Sequence, residues 1–212
     1  MCDFSSTVAG LAMRIAVADY GAGNLRSLCS ALERVGSEPV VTTDPSAVRE
    51  APLAVVAGVG HVASAAEGLR RTGVGDALRE RAAAARPVLG ICVGMQLLFE
   101  ASEEGGAGLG FLCGPVRRLE ARRVPHMGWN TLAARGDSEL LDGLDGADVY
   151  FAHSYAARPD DEAVTAAEVD HEGPVVAAVH QGSVAGFQFH PERSGPAGAR
   201  ALSNVLRWSR SA

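Results

Sequence analysis

The sequence predicts an α/β fold: a single domain with a central mixed, largely parallel sheet flanked by helices, and antiparallel strands in the C-terminal half. Two observations carry this. Up to about residue 100, short apolar runs alternate with segments of helical periodicity, as in repeated βα units. Beyond that point short strand patterns follow one another at hairpin spacing. The chain has 212 residues, 47% apolar and 21% charged, which fits one domain, and no linker or break in composition divides it.

The elements follow in order. Ile15 to Ala18 is an apolar strand, and after turn chemistry at Gly21 to Asn24 the residues Leu25, Leu28, Leu32 and Val35 recur at helical spacing up to Gly36. Val40-Val41 and Leu53 to Ala57 are further strands, the latter ending in Gly58-Val59-Gly60. Ala65 to Ala84 reads as helix, broken at Gly73 to Gly75. Pro87 to Ile91 is a fourth strand with a helix, Gly94 to Glu100, behind it. In the second half the strand candidates are Val116 to Leu119, Asn130 to Ala133, Asp148 to Phe151, Ala163 to Val169, Val175 to Val179 and Ser183 to Phe189. Gln181-Gly182 is a tight turn between the last two. A closing helix runs from Pro196 to Trp208, with proline in its first turn.

Composition excludes several kinds of function. A net charge of −6 leaves no basic footprint for nucleic acid. All 19 basic residues are arginine, which rules out a lysine nucleophile, a Schiff base or a Walker-type lysine. No apolar stretch approaches the ~20 residues of a membrane span. Cys2, Cys29, Cys92 and Cys113 form no CxxC pair, so they read as free thiols in a reducing, cytoplasmic setting. Cys2, Cys29 and Cys113 are expected to be small buried hydrophobes. No metal-ligand spacing occurs, and neither metal nor cofactor is expected. Residues 1 to 12 read as a disordered tail or a start placed upstream, leaving 13 to 212 as the domain.

One segment carries chemistry. In Val88-Leu-Gly-Ile-Cys-Val-Gly-Met-Gln-Leu-Leu98, Cys92 lies between a strand and a helix. Glycine at 90 and 94 permits the sharp, strained turn of a nucleophile elbow. There the positive end of the helix favours the thiolate. The N–H of Val93, free at the helix start, is a donor for a developing oxyanion.

Such a nucleophile needs a base, and six histidines compete: His61, His126, His153, His171, His180 and His190. His190 precedes Pro191-Glu192 at the end of an apolar strand. The residue before proline is extended, and in an extended segment residues two apart share a face. Glu192 can then hold one imidazole nitrogen while the other faces the thiol.

With these motifs together, the chain resembles the class I glutamine amidotransferases, which have a flavodoxin-like fold. Within them it is similar to the glutaminase subunits of imidazole glycerol phosphate synthases of histidine biosynthesis. The blocks that carry the resemblance are Asp19-Tyr-Gly-Ala-Gly-Asn-Leu-Arg-Ser27, Gly58-Val-Gly60, Gly90 to Glu100, Val124-Pro-His-Met-Gly-Trp-Asn130, His153-Ser-Tyr155 and Gly186-Phe-Gln-Phe-His-Pro-Glu192. The resemblance implies that Cys92 attacks the side-chain amide of glutamine, that His190 protonates the leaving ammonia and then activates water, and that Glu192 orients His190. It also implies that Gly58, Val59 and Gly60 form a loop whose Val59 amide, after a backbone rearrangement, joins Val93 in the oxyanion hole. Gly58, Gly60, Gln96, Glu104, His153, Ser154 and Tyr155 match substrate-binding positions.

Ammonia in neutral water is mostly protonated and non-nucleophilic, so an enzyme that uses it must pass it directly to a second site. The resemblance implies a heterodimer with a (β/α)8-barrel cyclase subunit that makes imidazole glycerol phosphate. Pro125, His126, Met127, Gly128, Trp129, Asn130 and Arg193 would lie at its interface; for Met127 and Trp129 ordinary core packing is the competing assignment. Two positions depart from the family: Ala57 stands where proline is usual, and Arg193 where lysine is common. A class I amidotransferase of another pathway, pyridoxal phosphate or purine synthesis, is the alternative function. A regulatory module with a decayed site is a third, disfavoured because Cys92, His190 and Glu192 are all present.

Overall fold

The computed structural model describes residues 12–21 and 23–211. The expected tail, apart from Ala12, and Cys2 lie outside the described residues. The strands are β1 (Met13–Ala18), β2 (Ser37–Thr42), β3 (Ala54–Gly58), β4 (Val88–Cys92), β5 (Phe99–Ser102), β6 (Leu112–Arg118), β7 (His126–Thr131), β8 (Ala133–Ala134), β9 (Asp148–His153), β10 (Tyr155–Ala157), β11 (Thr165–Asp170), β12 (Pro174–Gln181) and β13 (Val184–Phe187). The helices are α1 (Leu25–Arg34), α2 (Pro45–Glu50), α3 (Val62–Thr72), α4 (Val74–Ala83), α5 (Val93–Gln96) and α6 (Gly195–Ser211).

An eight-stranded sheet runs in the order β2-β1-β3-β4-β13-β12-β11-β8. Its first five strands are parallel, and β12, β11 and β8 continue it antiparallel. β3 and β4 are buried along their whole length, which is why they read as unbroken apolar runs instead of alternating ones. α1 packs with α6, while α2 and α3 pack with α4. The predicted hairpin joins β12 to β13, with Gly182 at φ 56°, a left-handed conformation that suits glycine.

One large side chain ties the start of this sheet together. Arg81, fully buried on α4, donates to the carbonyls of Val48, Arg49, Ala51, Pro52 and Pro87. Burial, with the charge of Arg86 second, lowers its pKa to about 10, so it stays charged at neutral pH and its fork gathers carbonyls from the end of α2, the segment after it and the residue before β4.

The structure corrects several expectations. The helix expected at Gly94 to Glu100 stops after one turn, and β5 takes the remainder. The carbonyls that a longer helix would use are already engaged: Leu97 accepts from Leu109, Leu98 from Phe111 and Leu112, and Phe99 from Gly110. Long-range pairing wins over local periodicity. α2, β5 and β10 went unpredicted, although Asp44 caps α2 through Ser46 N with Pro45 in its first turn. The strand expected at Asn130 to Ala133 begins four residues earlier, as β7. The strand expected to reach Phe189 ends at Phe187, and His190 opens a 3-10 turn over Pro191–Arg193. Cys113 is exposed and Cys29 half-buried, so neither is a core residue.

Candidate active site

The site lies at the C-terminal ends of three adjacent parallel strands, β3, β4 and β13, the edge where open α/β sheets bind ligands. Cys92 ends β4 at φ 54° and ψ −112°, a strained conformation for a residue with a side chain, costing about 1–3 kcal/mol. The flanking glycines are sterically required. A Cβ on Gly94 would lie 1.7 Å from the Val56 carbonyl oxygen, and one on Gly90 would lie 2.5 Å from that of Gly94. α5 is one turn long, so it offers the sulfur free N–H groups, Val93's among them, and not the summed dipole of a full helix.

Register then brings the other parts alongside. Gly58 pairs with Cys92 across β3 and β4, which sets the Gly58-Val59-Gly60 loop beside the sulfur; Gly60 is at φ 93° and Val59 is half-exposed. Ala57, in place of proline, is tied by a different group: the buried Tyr20 hydroxyl donates to its carbonyl at 2.8 Å. Burial above all, then the charges of Cys92 and Asp19, raise the Tyr20 pKa well above its ordinary value, so it remains a neutral donor.

On the other side, β13 leads to His190, whose Nδ1 is 2.9 Å from Glu192 Oε1. His190 is extended, as expected before proline, but the backbone then tightens into the 3-10 turn over Pro191–Arg193 that carries Glu192. Both side chains are nearly buried, and Glu192 Oε2 has no partner among the described residues. Burial, the largest single influence on His190, pushes its pKa down. The nearby Cys92 sulfur and the hydrogen bond to Glu192, with their charge, push it up further, to about 10. The ring therefore carries a proton at neutral pH.

In front of Cys92 opens a cleft of about 240 Å³ lined by Val59, Gly60, Val93, Gln96, Glu104, Pro125, Met127, His153, Ser154 and Tyr155, together with His61 and Ala152. Gln96 donates through Nε2 to the Tyr155 carbonyl at 2.9 Å. Glu104 is engaged by His61 Nδ1 at 2.7 Å and by the Val62 N–H at 2.8 Å. His61 is a cleft residue the sequence reading passed over; its partner is 43 positions away, so no local signal marks it.

The segment expected at an interface divides in two along β7. His126 is buried, stacked on Phe151 with centroids 4.5 Å apart, and its Nδ1 is 3.0 Å from His153 Nε2. Asn130 donates to the Asp170 carbonyl at 2.9 Å. Met127 and Trp129 point outward and are 66% and 58% exposed, so the core-packing assignment fails for both. Gly128, between them at φ 126°, has open space where a Cβ would be. Trp129 meets the Tyr150 ring edge-on at 6.1 Å, and the Arg193 guanidinium lies 4.1 Å above that ring. Among the described residues no group of His, Cys, Asp or Glu has the arrangement of a metal site, and no helix is long and apolar enough to cross a membrane.

Comparisons with known proteins agree with this arrangement. The family described as glutamine amidotransferase class-I matches residues 16–207. The chain is similar to proteins named imidazole glycerol phosphate synthase subunit HisH. Identity is 48% to that of Mycobacterium tuberculosis (strain CDC 1551 / Oshkosh), over 91% of this chain and 97% of that one. It is 46% to that of Rhodospirillum rubrum, over 93% and 100%, and 44% to that of Deinococcus radiodurans, over 96% and 97%. Among solved structures, a crystal structure of glutamine amidotransferase superposes with a TM-score of 0.76 at 22% identity, covering 92% of this chain and 98% of that one. PurLQS from Thermotoga maritima gives 0.71 at 19%, over 93% and 99%; at such identities these two speak for the fold alone. The chain belongs to the class I glutamine amidotransferases and, within them, to the HisH subunits of imidazole glycerol phosphate synthase.

Proposed function

We propose that this chain is the glutaminase subunit of imidazole glycerol phosphate synthase, hydrolysing glutamine to glutamate and ammonia through a thioester on Cys92. Glutamine enters the cleft with its side-chain amide over the sulfur. Gln96, Glu104 and the His153-Ser154-Tyr155 segment hold its amino-acid end. The sulfur attacks the amide carbon, and the N–H groups of Val93 and Val59 receive the oxyanion. The C–N bond breaks as His190 gives its proton to the departing nitrogen. His190 then takes a proton from water, whose oxygen displaces the sulfur and releases glutamate. Glu192 keeps the ring oriented through both steps. The single observation that carries this reading is the seating of His190, 2.9 Å from Glu192, just past the end of β13, the strand paired directly with the one that ends in Cys92.

The ammonia goes to a cyclase subunit, a (β/α)8 barrel, docked on the face that bears Met127, Trp129 and Arg193. A cytoplasmic setting suits the free thiols and the biosynthetic role. The test is Cys92→Ala in the assembled complex: glutamine-dependent turnover is abolished while ammonia-dependent synthesis persists. Glutamine hydrolysis by the alanine variant would show that Cys92 is not the nucleophile.

A further inference from the structure

Gln188 has no part in the reading above, yet it is fully buried two residues before His190. Its backbone N–H is taken by the Ala177 carbonyl at 2.8 Å. Its side-chain Oε1 accepts from Gln96 Nε2 at 3.1 Å, and its Nε2 lies 3.8 Å from Cys92 Sγ.

The direction of the amide is fixed by its neighbours. The Tyr155 carbonyl can only accept, and it draws Gln96 Nε2 towards it at 2.9 Å as well as His153 Nδ1 at 2.8 Å. Gln96 therefore presents N–H groups to both Tyr155 and Gln188. Gln188 must answer with its oxygen, which turns its NH2 to the sulfur. Burying an amide without partners costs free energy, and at this end of Gln188 the acceptor is Cys92.

We propose that Gln188 is a further catalytic residue of glutamine hydrolysis: its Nε2–H donates to Cys92 Sγ, stabilising the anionic sulfur and fixing its position for attack, while Gln96 locks the amide in that orientation. This deepens the proposed reaction and rests on Cys92 as its nucleophile. A donor aimed at a charged group favours the charged form, here by roughly ten- to a hundredfold in the thiol–thiolate equilibrium.

The test is steady-state kinetics of the assembled synthase carrying Gln188→Met, which keeps the bulk and removes the donor, or Gln188→Glu, which still accepts from Gln96 but sets an oxygen against the sulfur. The expected result is a kcat for glutamine lowered about tenfold or more, further for Glu than for Met. The KM stays within about threefold, and the acidic limb of the kcat/KM–pH profile moves to higher pH. Ammonia-dependent synthesis by the same complex reports folding and assembly. An unchanged kcat and acidic limb in Gln188→Met, or a raised KM with kcat retained, overturns the proposal.

Labelling of the wild-type chain by a glutamine-like electrophile separates the two claims. Absence of label on Cys92 defeats the nucleophile assignment, whereas label on Cys92 with unaltered Gln188→Met kinetics defeats Gln188 alone. Should both variants fail to fold, Gln96→Met frees the Gln188 amide to turn and must move the acidic limb the same way; an unmoved limb there overturns the proposal as well.

Discussion

Gly58 and Cys92 occupy the same register position on neighbouring parallel strands, so the Gly58-Val59-Gly60 loop and the thiol are set side by side by sheet pairing. Tyr20 completes this arrangement. Its hydroxyl lies where a Cβ on Gly58 would be, 2.0 Å away, while it donates to the carbonyl of Ala57. Residue 58 must therefore be glycine, and the root of the loop is pinned by a phenol.

Tyr20→Phe removes that pin and keeps the packing. A neutral hydrogen bond contributes about 1 kcal/mol, or roughly fivefold in an equilibrium. The expected outcome is a several-fold rise in glutamate release by the isolated chain, because the loop reaches its active arrangement more readily, with a stability loss of about 1 kcal/mol in urea. Lower basal activity in the phenylalanine variant would mean that the pin holds the active arrangement instead of the resting one.

In the proposed reaction Glu192 acts only through His190. Glu192→Gln keeps the shape but removes the charge that helps hold a proton on the ring. Glutamine-dependent kcat is expected to fall about a hundredfold, within the usual range for disabling an acid–base pair. The measurement is coupled glutamate detection in the assembled complex, with ammonia-dependent synthesis as the check on assembly. A loss smaller than about threefold would leave Glu192 a bystander.

The elbow was legible in the sequence because its cause is local. Gly90 and Gly94 are small where the turn and the strand beneath approach within clash distance. The parallel half was legible for a related reason, since buried central strands read as apolar runs. What escaped depends on contacts between distant segments. α5 ends because residues 109–112 claim its carbonyls, and Glu104 meets His61 across 43 positions. Gln188 reaches the sulfur across 96 positions only because β13 is paired directly with β4. The His190–Glu192 contact was expected from an extended segment; His190 is extended, but Glu192 is delivered by the 3-10 turn that follows it.

Three histidines set opposing pH limits on stability. Burial first, then neighbouring histidine charge, lowers the pKa of His153 from 6.5 to about 3 and that of His126 from 6.5 to about 4. Between these values and 6.5 the unfolded chain binds more protons, so stability falls as pH drops from about 6.5 towards 4. His190 works in the opposite sense: its pKa is raised to about 10, so its contribution is complete below 6.5 and is lost as pH rises towards 10. Urea midpoints at pH 5, 7 and 9 should be highest at 7, and His126→Gln should flatten the acid side. A midpoint unchanged from pH 7 to 5 would contradict the neutral, buried state of the pair.

Trp129 and Met127 stand out on a strand whose alternate residue, His126, is buried. The patch continues through Tyr150, whose carbonyl accepts the His190 N–H at 2.8 Å, so a partner seated on Trp129 would be one backbone bond from His190. Large aromatic anchors at the centre of an interface typically contribute about 2 kcal/mol or more when truncated. Trp129→Ala is expected to weaken cyclase binding about thirtyfold in Kd while leaving the urea midpoint of the isolated chain unchanged, since the side chain already faces solvent. Calorimetric titration with the cyclase subunit reads the first quantity and denaturation the second. An unaltered Kd would place the partner on another face.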